Sequence, residues 1–161
     1  AFNLLENLLL WARSQSDKVK LNIEDLNLNE LIFSSTLAYL PGAHKKSISF
    51  ENLVPENFRI KADKYALSTI IANLFSNAVK FTPANGKIEI TAEETDGYVQ
   101  ICVSDNGIGI TEENVSKLFK IEDHITTYGT EKEKGTGLGL LLCKEFVEKL
   151  GGKIWVESEY G

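Results

Sequence analysis

Asn73, Asn77 and Lys80 recur three or four residues apart in the run NLFSNAVKF, residues 73–81. An amide oxygen can ligate a hard cation such as Mg²⁺, a lysine ammonium can neutralise phosphate, and the ring of Phe81 can lie against a flat base. Two glycine-rich motifs follow. Asp105-Asn106-Gly107-Ile108-Gly109 comes directly after the strand-like Ile101-Cys102-Val103. It delivers a carboxylate able to accept the exocyclic amine of an adenine, then glycines that let a ligand approach the backbone. Gly135-Thr136-Gly137-Leu138-Gly139 opens a helical run, where free N–H groups and the helix dipole favour phosphate. This is neither a Walker loop nor a dinucleotide fingerprint, because Gly-Lys-Ser/Thr is absent and the spacing is G-x-G-x-G. Singly, each motif has a plain alternative: surface amides, an ordinary turn, or glycines that permit close packing. Their order is more specific, supplying metal ligand, adenine acceptor, long polar loop and phosphate cradle in turn.

The elements that must position these residues follow from periodicity. Leu67, Ile70, Ile71, Leu74, Ala78 and Val79 recur at helical spacing, so a helix opened by Asp63 and stopped by Pro83 buries that face. On it Asn73, Asn77 and Phe81 fall within about 80° of one another, with Lys80 beside them. Residues 87–94 and 98–104 alternate as strands joined by Asp96-Gly97, a hairpin signal. Shorter strands are expected at residues 19–23, 47–53 and 58–60. A helix over residues 28–40 opens with Asn27 and Glu30 in a capping-box arrangement and ends at Pro41-Gly42. Thr111 caps a short helix reaching Phe119. Residues 120–135 have little apolar pattern and are long for a connection, which suits a lid or a disordered stretch. A helix over residues 137–150 ends at Gly151, before a strand at residues 153–157. Near the start, Phe2, Leu5, Leu8, Leu9 and Ala12 form an apolar stripe, broadened by Leu4 and Trp11, that calls for a partner. The pattern predicts an α+β protein built as a two-layer sandwich, with an appended N-terminal helix.

Composition excludes several classes. The chain has 161 residues, 43% hydrophobic and 25% charged, with net charge −6 and a pI near 5.0. That balance argues against nucleic acid as the main partner. The pairs Lys18/Lys20 and Lys45/Lys46 and the run Glu131-Lys132-Glu133-Lys134 read as solvated faces. Cys102 and Cys143 lack metal-ligand spacing and read as buried free thiols. No stretch is long and apolar enough to span a bilayer. With no Met in the sequence, the native start is expected to lie outside this piece.

The motifs NLFSNAVKFTP, DNGIGI, Leu118-Phe119 and GTGLGL resemble, in order, the N box, first glycine box, F box and second glycine box of sensor histidine kinases. The resemblance covers residues 28–161 and implies the GHKL ATP-binding fold, also called the Bergerat fold. Residues 2–18 are similar to the second helix of that family's dimerisation and phosphoacceptor hairpin. The implied domains are residues 1–20 for that partial hairpin and residues 21–161 for the catalytic domain, with its last strand missing. By resemblance Asn77 is the Mg²⁺ ligand, Lys80 a phosphate contact and Phe81 an adenine-side contact. Asp105 reads the adenine amine, with Gly107 and Gly109 beside the base. Gly135, Thr136, Gly137 and Gly139 shape the lid's end and the phosphate-facing helix start, and Leu138 packs in the lid. Asn73 faces the triphosphate. Related ATPases of this fold have Glu there to activate water, a role a neutral amide does not serve. Asn73, Asn77 and Lys80 are therefore the expected catalytic set.

The resemblance implies ATP and Mg²⁺ as cofactors, and as partners an upstream phosphoacceptor helix and a response-regulator receiver domain. The parent is expected to be a homodimer, with this region the cytoplasmic part of a membrane-bound sensor. His44 precedes Lys45-Lys46, and His124 falls in the expected lid, so neither has a phosphoacceptor context. The acceptor is expected upstream of residue 1. A regulatory nucleotide-binding module and a GHKL-type ATPase are the alternative readings.

Overall fold

The structure, a computed structural model, describes residues 20–119, 129–131 and 137–161. The expected helix of residues 2–18, His124, Gly135 and Thr136 lie outside the described residues. Strand β1 (Ile23–Asn27) leads into helix α1 (Leu28–Thr36). Asn27 ends the strand and caps the helix, its side chain accepting from the Glu30 N–H at 3.2 Å. The strand falls later than the alternation at residues 19–23 suggested, because its antiparallel pairing with β3 (Arg59–Asp63) runs from Ile23 opposite Asp63 to Asn27 opposite Arg59.

Pro41-Gly42 does not end the helical region. A 3₁₀ turn (Leu37–Tyr39) passes into helix α2 (Leu40–Lys45), with Pro41 in its first turn. The missing proline N–H has no intrahelical acceptor there, so the residue is tolerated.

Strand β2 (Ser49–Asn52) pairs parallel with β4 (Lys87–Thr95), which pairs antiparallel with β5 (Tyr98–Asp105). The three-stranded sheet has the order β2-β4-β5, and β1 and β3 form a separate ribbon. The hairpin turns on Asp96 and Gly97, with φ of 53° and 80°, the positive values a tight two-residue turn needs. Exposure alternates along β5. This alternation places Cys102 on the outer face with Gln100 and Ser104, so it is exposed rather than buried as expected.

Helix α3 (Lys64–Phe81) opens on the Asp63 carboxylate, which accepts from the Ala66 N–H at 2.8 Å. It is clamped on two sides. Leu67, Ile71, Phe75, Ala78 and Val79 pack with Ile88 and Ile90 of the sheet, while Ala66 and Ile70 pack with Leu142, Cys143 and Phe146 of helix α5 (Gly139–Lys149). This double burial explains why Phe75, missed by the one-face periodicity, is fully buried and edge-on to Phe50 at 4.6 Å between ring centroids. Truncating it to alanine would cost about 3–5 kcal/mol. Leu74, expected in the core, is only partly buried against the α5 cluster.

Burial pushes the Cys143 thiol up to about 12. Thr111 caps a shorter helix than expected, α4 (Glu112–Val115). Gly151 follows α5 with φ of 76°, a left-handed position after the helix end. The strand expected at residues 153–157 does not form. Ile154 and Val156 are half-buried between exposed neighbours, so the period-two pattern is present, but no described strand pairs with it.

Candidate functional site

Helix α5 runs back along α3, and its register places the motifs. Near its C-terminal half Phe146 meets Tyr65 edge-on, 6.3 Å between centroids. Further back, the Cys143 Sγ lies 3.8 Å from the Ile70 carbonyl oxygen. At its start, a Cβ built on Gly139 would stand 2.6 Å from Asn73 Oδ1. Ala66, Ile70, Asn73 and Asn77 form one stripe of α3, so α5 covers the apolar part and stops at the first amide. Asn77 lies one turn, about 6 Å, beyond that stop. Backbone N–H groups point toward a helix's N-terminus, so those opening α5 point along α3 toward its C-terminal half, which carries Asn77. The residue at the cap position is Leu138, and among the described residues no side chain caps them. Gly137, with φ of 71°, turns the chain into the helix.

The far end of α3 meets the acidic glycine turn. Ile108 N–H donates to the Phe81 carbonyl at 3.2 Å. A Cβ on Gly107 would sit 2.7 Å from that oxygen and 2.5 Å from Asp105 Oδ1, so the turn can lie this close only without a side chain. Gly107 N–H donates to Asp105 Oδ1 at 2.8 Å. Partial enclosure of the carboxyl raises the Asp105 pKa above the usual carboxylate value, against the lowering effect of that bond. The residue still keeps accessible surface, so a ligand can reach it. Gly109 has φ of 69° and a backbone neighbour, the Glu159 carbonyl, where a side chain would go. The Lys80 ammonium lies 4.3 Å from the Phe81 ring centroid.

The described members of the expected set thus group along α3: Asn73 with Gly139, Phe81 with Gly107, and Asn77 between the two contacts. Asn73 is turned inward, its Nδ2 donating to the Thr69 carbonyl at 2.9 Å while its oxygen faces Gly139. It is partly buried rather than fully presented to a ligand. A separate open depression of about 570 Å³ lies between α1 and residues 52–56, lined by Asn29, Phe33 and Leu53 among others. It contains none of the motif residues, and chemistry rather than volume selects the site.

The sequence did not single out Lys46 or Thr130. Lys46, expected on a solvated face, is 4% exposed. Its ammonium donates to the Val79 carbonyl at 2.9 Å, the Lys80 carbonyl at 3.0 Å and Thr130 Oγ1 at 2.8 Å. Its neighbour Lys45 is solvated and pairs with Glu131 at 2.7 Å.

Residues 62–161 match the sequence pattern of the family described as histidine kinase-, DNA gyrase B-, and HSP90-like ATPases. The chain belongs to this family. Among curated relatives it is 34% identical over 164 residues to the autoinducer 2 sensor kinase/phosphatase LuxQ of Vibrio vulnificus, covering 97% of this chain and 19% of that protein. The chain therefore spans about a fifth of that relative's length. Among solved structures, the nucleotide-free catalytic domain of the histidine kinase ThkA superimposes with a TM-score of 0.71 at 35% identity, over 84% of this chain and 86% of that one. Full-length ShkA in complex with AMPPNP superimposes with a TM-score of 0.82 at 29% identity, over 99% of this chain and 33% of that one.

The family match spans α3, the hairpin, the acidic turn and α5, which are the elements that carry the grouped residues. This ATPase-family region is thus the ATP-binding catalytic domain of sensor histidine kinases, in the α+β sandwich the pattern predicted. Among the described residues no helix is long and apolar enough to cross a membrane.

Proposed function

We propose that this chain is the part of a sensor histidine kinase that binds Mg-ATP and donates its γ-phosphoryl to a histidine outside the chain. The observation that carries the reading is the α3 stripe, along which Asn73, Asn77 and Phe81 connect the start of α5 with the acidic glycine turn. The base lies at the turn, its exocyclic amine donating to Asp105. The phosphates lie over Asn77, toward the α5 N–H groups and the Lys80 ammonium.

The donor set fits Mg²⁺. Asn77 offers one hard oxygen, and among the described residues no group of three or more His, Cys, Asp or Glu side chains forms a metal cage. A cation that draws its other oxygens from phosphate and water suits such a site. When bound, Mg²⁺ supplies charge neutralisation to the phosphates. In the transfer, the imidazole lone pair forms the N–P bond as the bond from Pγ to the β,γ-bridging oxygen breaks. ADP leaves with that electron pair, and the imidazole proton passes to a base outside this chain. The protein contributes positioning and charge. Asn73 supports transfer over hydrolysis, because its amide is neutral and its Nδ2 is engaged with the Thr69 carbonyl.

The acceptor helix and a response-regulator receiver domain are the protein partners of this reading. The ThkA complex with the response regulator TrrA, with a TM-score of 0.73 at 30% identity to this chain, supports it. The parent would be a homodimer, with this region on the cytoplasmic side of the membrane. The test is to supply a phosphoacceptor hairpin from the full-length protein in trans with Mg-ATP and assay acid-labile phosphohistidine. We expect transfer to the hairpin, and its loss in Asn77→Ala. Steady phosphate release without phosphohistidine would instead establish an ATPase, and nucleotide binding with neither product a regulatory module.

A further inference from the structure

The carbonyls that end α3 are all engaged. Ala78 accepts from the Thr82 N–H at 2.9 Å and Phe81 from the Ile108 N–H at 3.2 Å. Val79 accepts from the Lys46 ammonium, and Lys80 from that ammonium and from the Thr130 N–H at 3.1 Å. The Thr130 hydroxyl lies 3.2 Å from both the Lys80 and Thr82 carbonyls while accepting from Lys46. It has one proton, so it serves one of those carbonyls at a time. A buried ammonium at a helix C-terminus is matched to the dipole there, and Lys46 donates to two carbonyls and a hydroxyl.

We infer that Lys46 is a positioning residue for the nucleotide site, clasping Thr130 to the end of α3 and thereby fixing Lys80, Phe81 and the acidic turn. The inference rests on the reading of that end of α3 as the base-binding side. Lys46 touches no ligand. It acts through the backbone on which Lys80 and Phe81 are carried and from which Ile108 is hung. Without its ammonium, the Val79 and Lys80 carbonyls and the Thr130 hydroxyl lose their common donor, and the helix end has reason to shift or admit water. Thr130 is the second half of the clasp, bringing residues 129–131 onto α3.

The test uses the 161-residue chain with a fluorescent ATP analogue, amide hydrogen exchange and urea unfolding. Lys46→Met keeps the stem and removes the donors, Thr130→Val removes the hydroxyl at constant shape, and Thr130→Ser restores it. We expect Lys46→Met to weaken nucleotide binding about tenfold and Thr130→Val several-fold, with Thr130→Ser within about twofold of the parent. The double variant should bind no worse than Lys46→Met alone, since both remove one clasp. In the nucleotide-free protein, exchange at the Ile108 and Thr130 amides should quicken in Thr130→Val but not in Thr130→Ser. Parent-like affinity and exchange in Thr130→Val would overturn the inference, as would losses that simply add in the double variant. So would losses of affinity that follow the urea midpoint alone. Should Lys46→Met fail to fold, the Thr130 pair decides. If the parent chain binds no nucleotide, the site reading fails, and amide exchange still tests the clasp.

Discussion

The two helix ends that face the site are built in opposite ways. At the C-terminus of α3 the last carbonyls are satisfied by Thr82, Lys46, Thr130 and Ile108. At the N-terminus of α5 no side chain among the described residues caps the first turn, and the contact with α3 is the close approach of Gly139 to Asn73. Protein groups already hold the first end in place. The second keeps donors that a phosphate could take. A flat base gains from a wall that is fixed before it arrives, whereas phosphate gains from donors not already spent, so the contrast assigns the two halves of a nucleotide to the two ends.

The largest effect is expected where the fixed end is forced open. In Gly107→Ala the new methyl would meet the Phe81 carbonyl at 2.7 Å and Asp105 Oδ1 at 2.5 Å. The carbonyl is backbone, held by its helix and by the Ile108 N–H, so it cannot swing aside. Overpacking of this kind costs about 1–3 kcal/mol. Nucleotide affinity should drop up to about a hundredfold, read by titration with a fluorescent analogue. An affinity within a factor of two of the parent would show that this end is not fixed.

Gly139→Ala makes the same change at the other end, and its neighbour differs in kind. The methyl would meet Asn73 Oδ1 at 2.6 Å, the tip of a side chain whose other atom is bonded to Thr69. A side-chain tip can yield, so the expected loss of affinity is about tenfold rather than a hundredfold. Adding Asn73→Ala should relieve the clash and recover most of the stability lost, measured as the urea midpoint in a double-variant cycle. Equal and additive losses would mean that Asn73 and Gly139 do not oppose one another.

The same contrast explains what could be read before the fold was known. Features set by local geometry were legible: Asp63 as a cap and Asp96-Gly97 as a turn. The stripe of Asn73, Asn77 and Phe81 was legible because helical periodicity is local. Lys46 was not, since its burial depends on the end of α3 and on Thr130, more than thirty and eighty residues away in sequence. Phe75 was missed because only tertiary packing reveals that α3 is covered on two sides. Residues 153–157 carry strand alternation, yet a strand is a property of a pair, and periodicity says nothing of the partner.

The smallest effect separates Asp105 from the backbone around it. Its carboxyl has a pKa above the ordinary 3.8, raised by enclosure against the Gly107 N–H bond. A raised carboxyl pKa means that the folded protein holds this proton more tightly than the unfolded chain does. Relative to Asp105→Asn, the stability contribution is therefore fully present below the ordinary value and is lost as pH rises through the raised one. Nucleotide binding should run the other way, because the ionised carboxylate is the better acceptor for an amine donor. As pH falls toward the raised value, the parent should lose its affinity advantage over Asp105→Asn by a few-fold, while its relative urea midpoint climbs. Measuring both against pH in the two proteins cancels titration of the nucleotide itself. Curves that move together, or an advantage that does not change with pH, would remove Asp105 from the base-reading role and leave the fixed end of α3 without its acceptor.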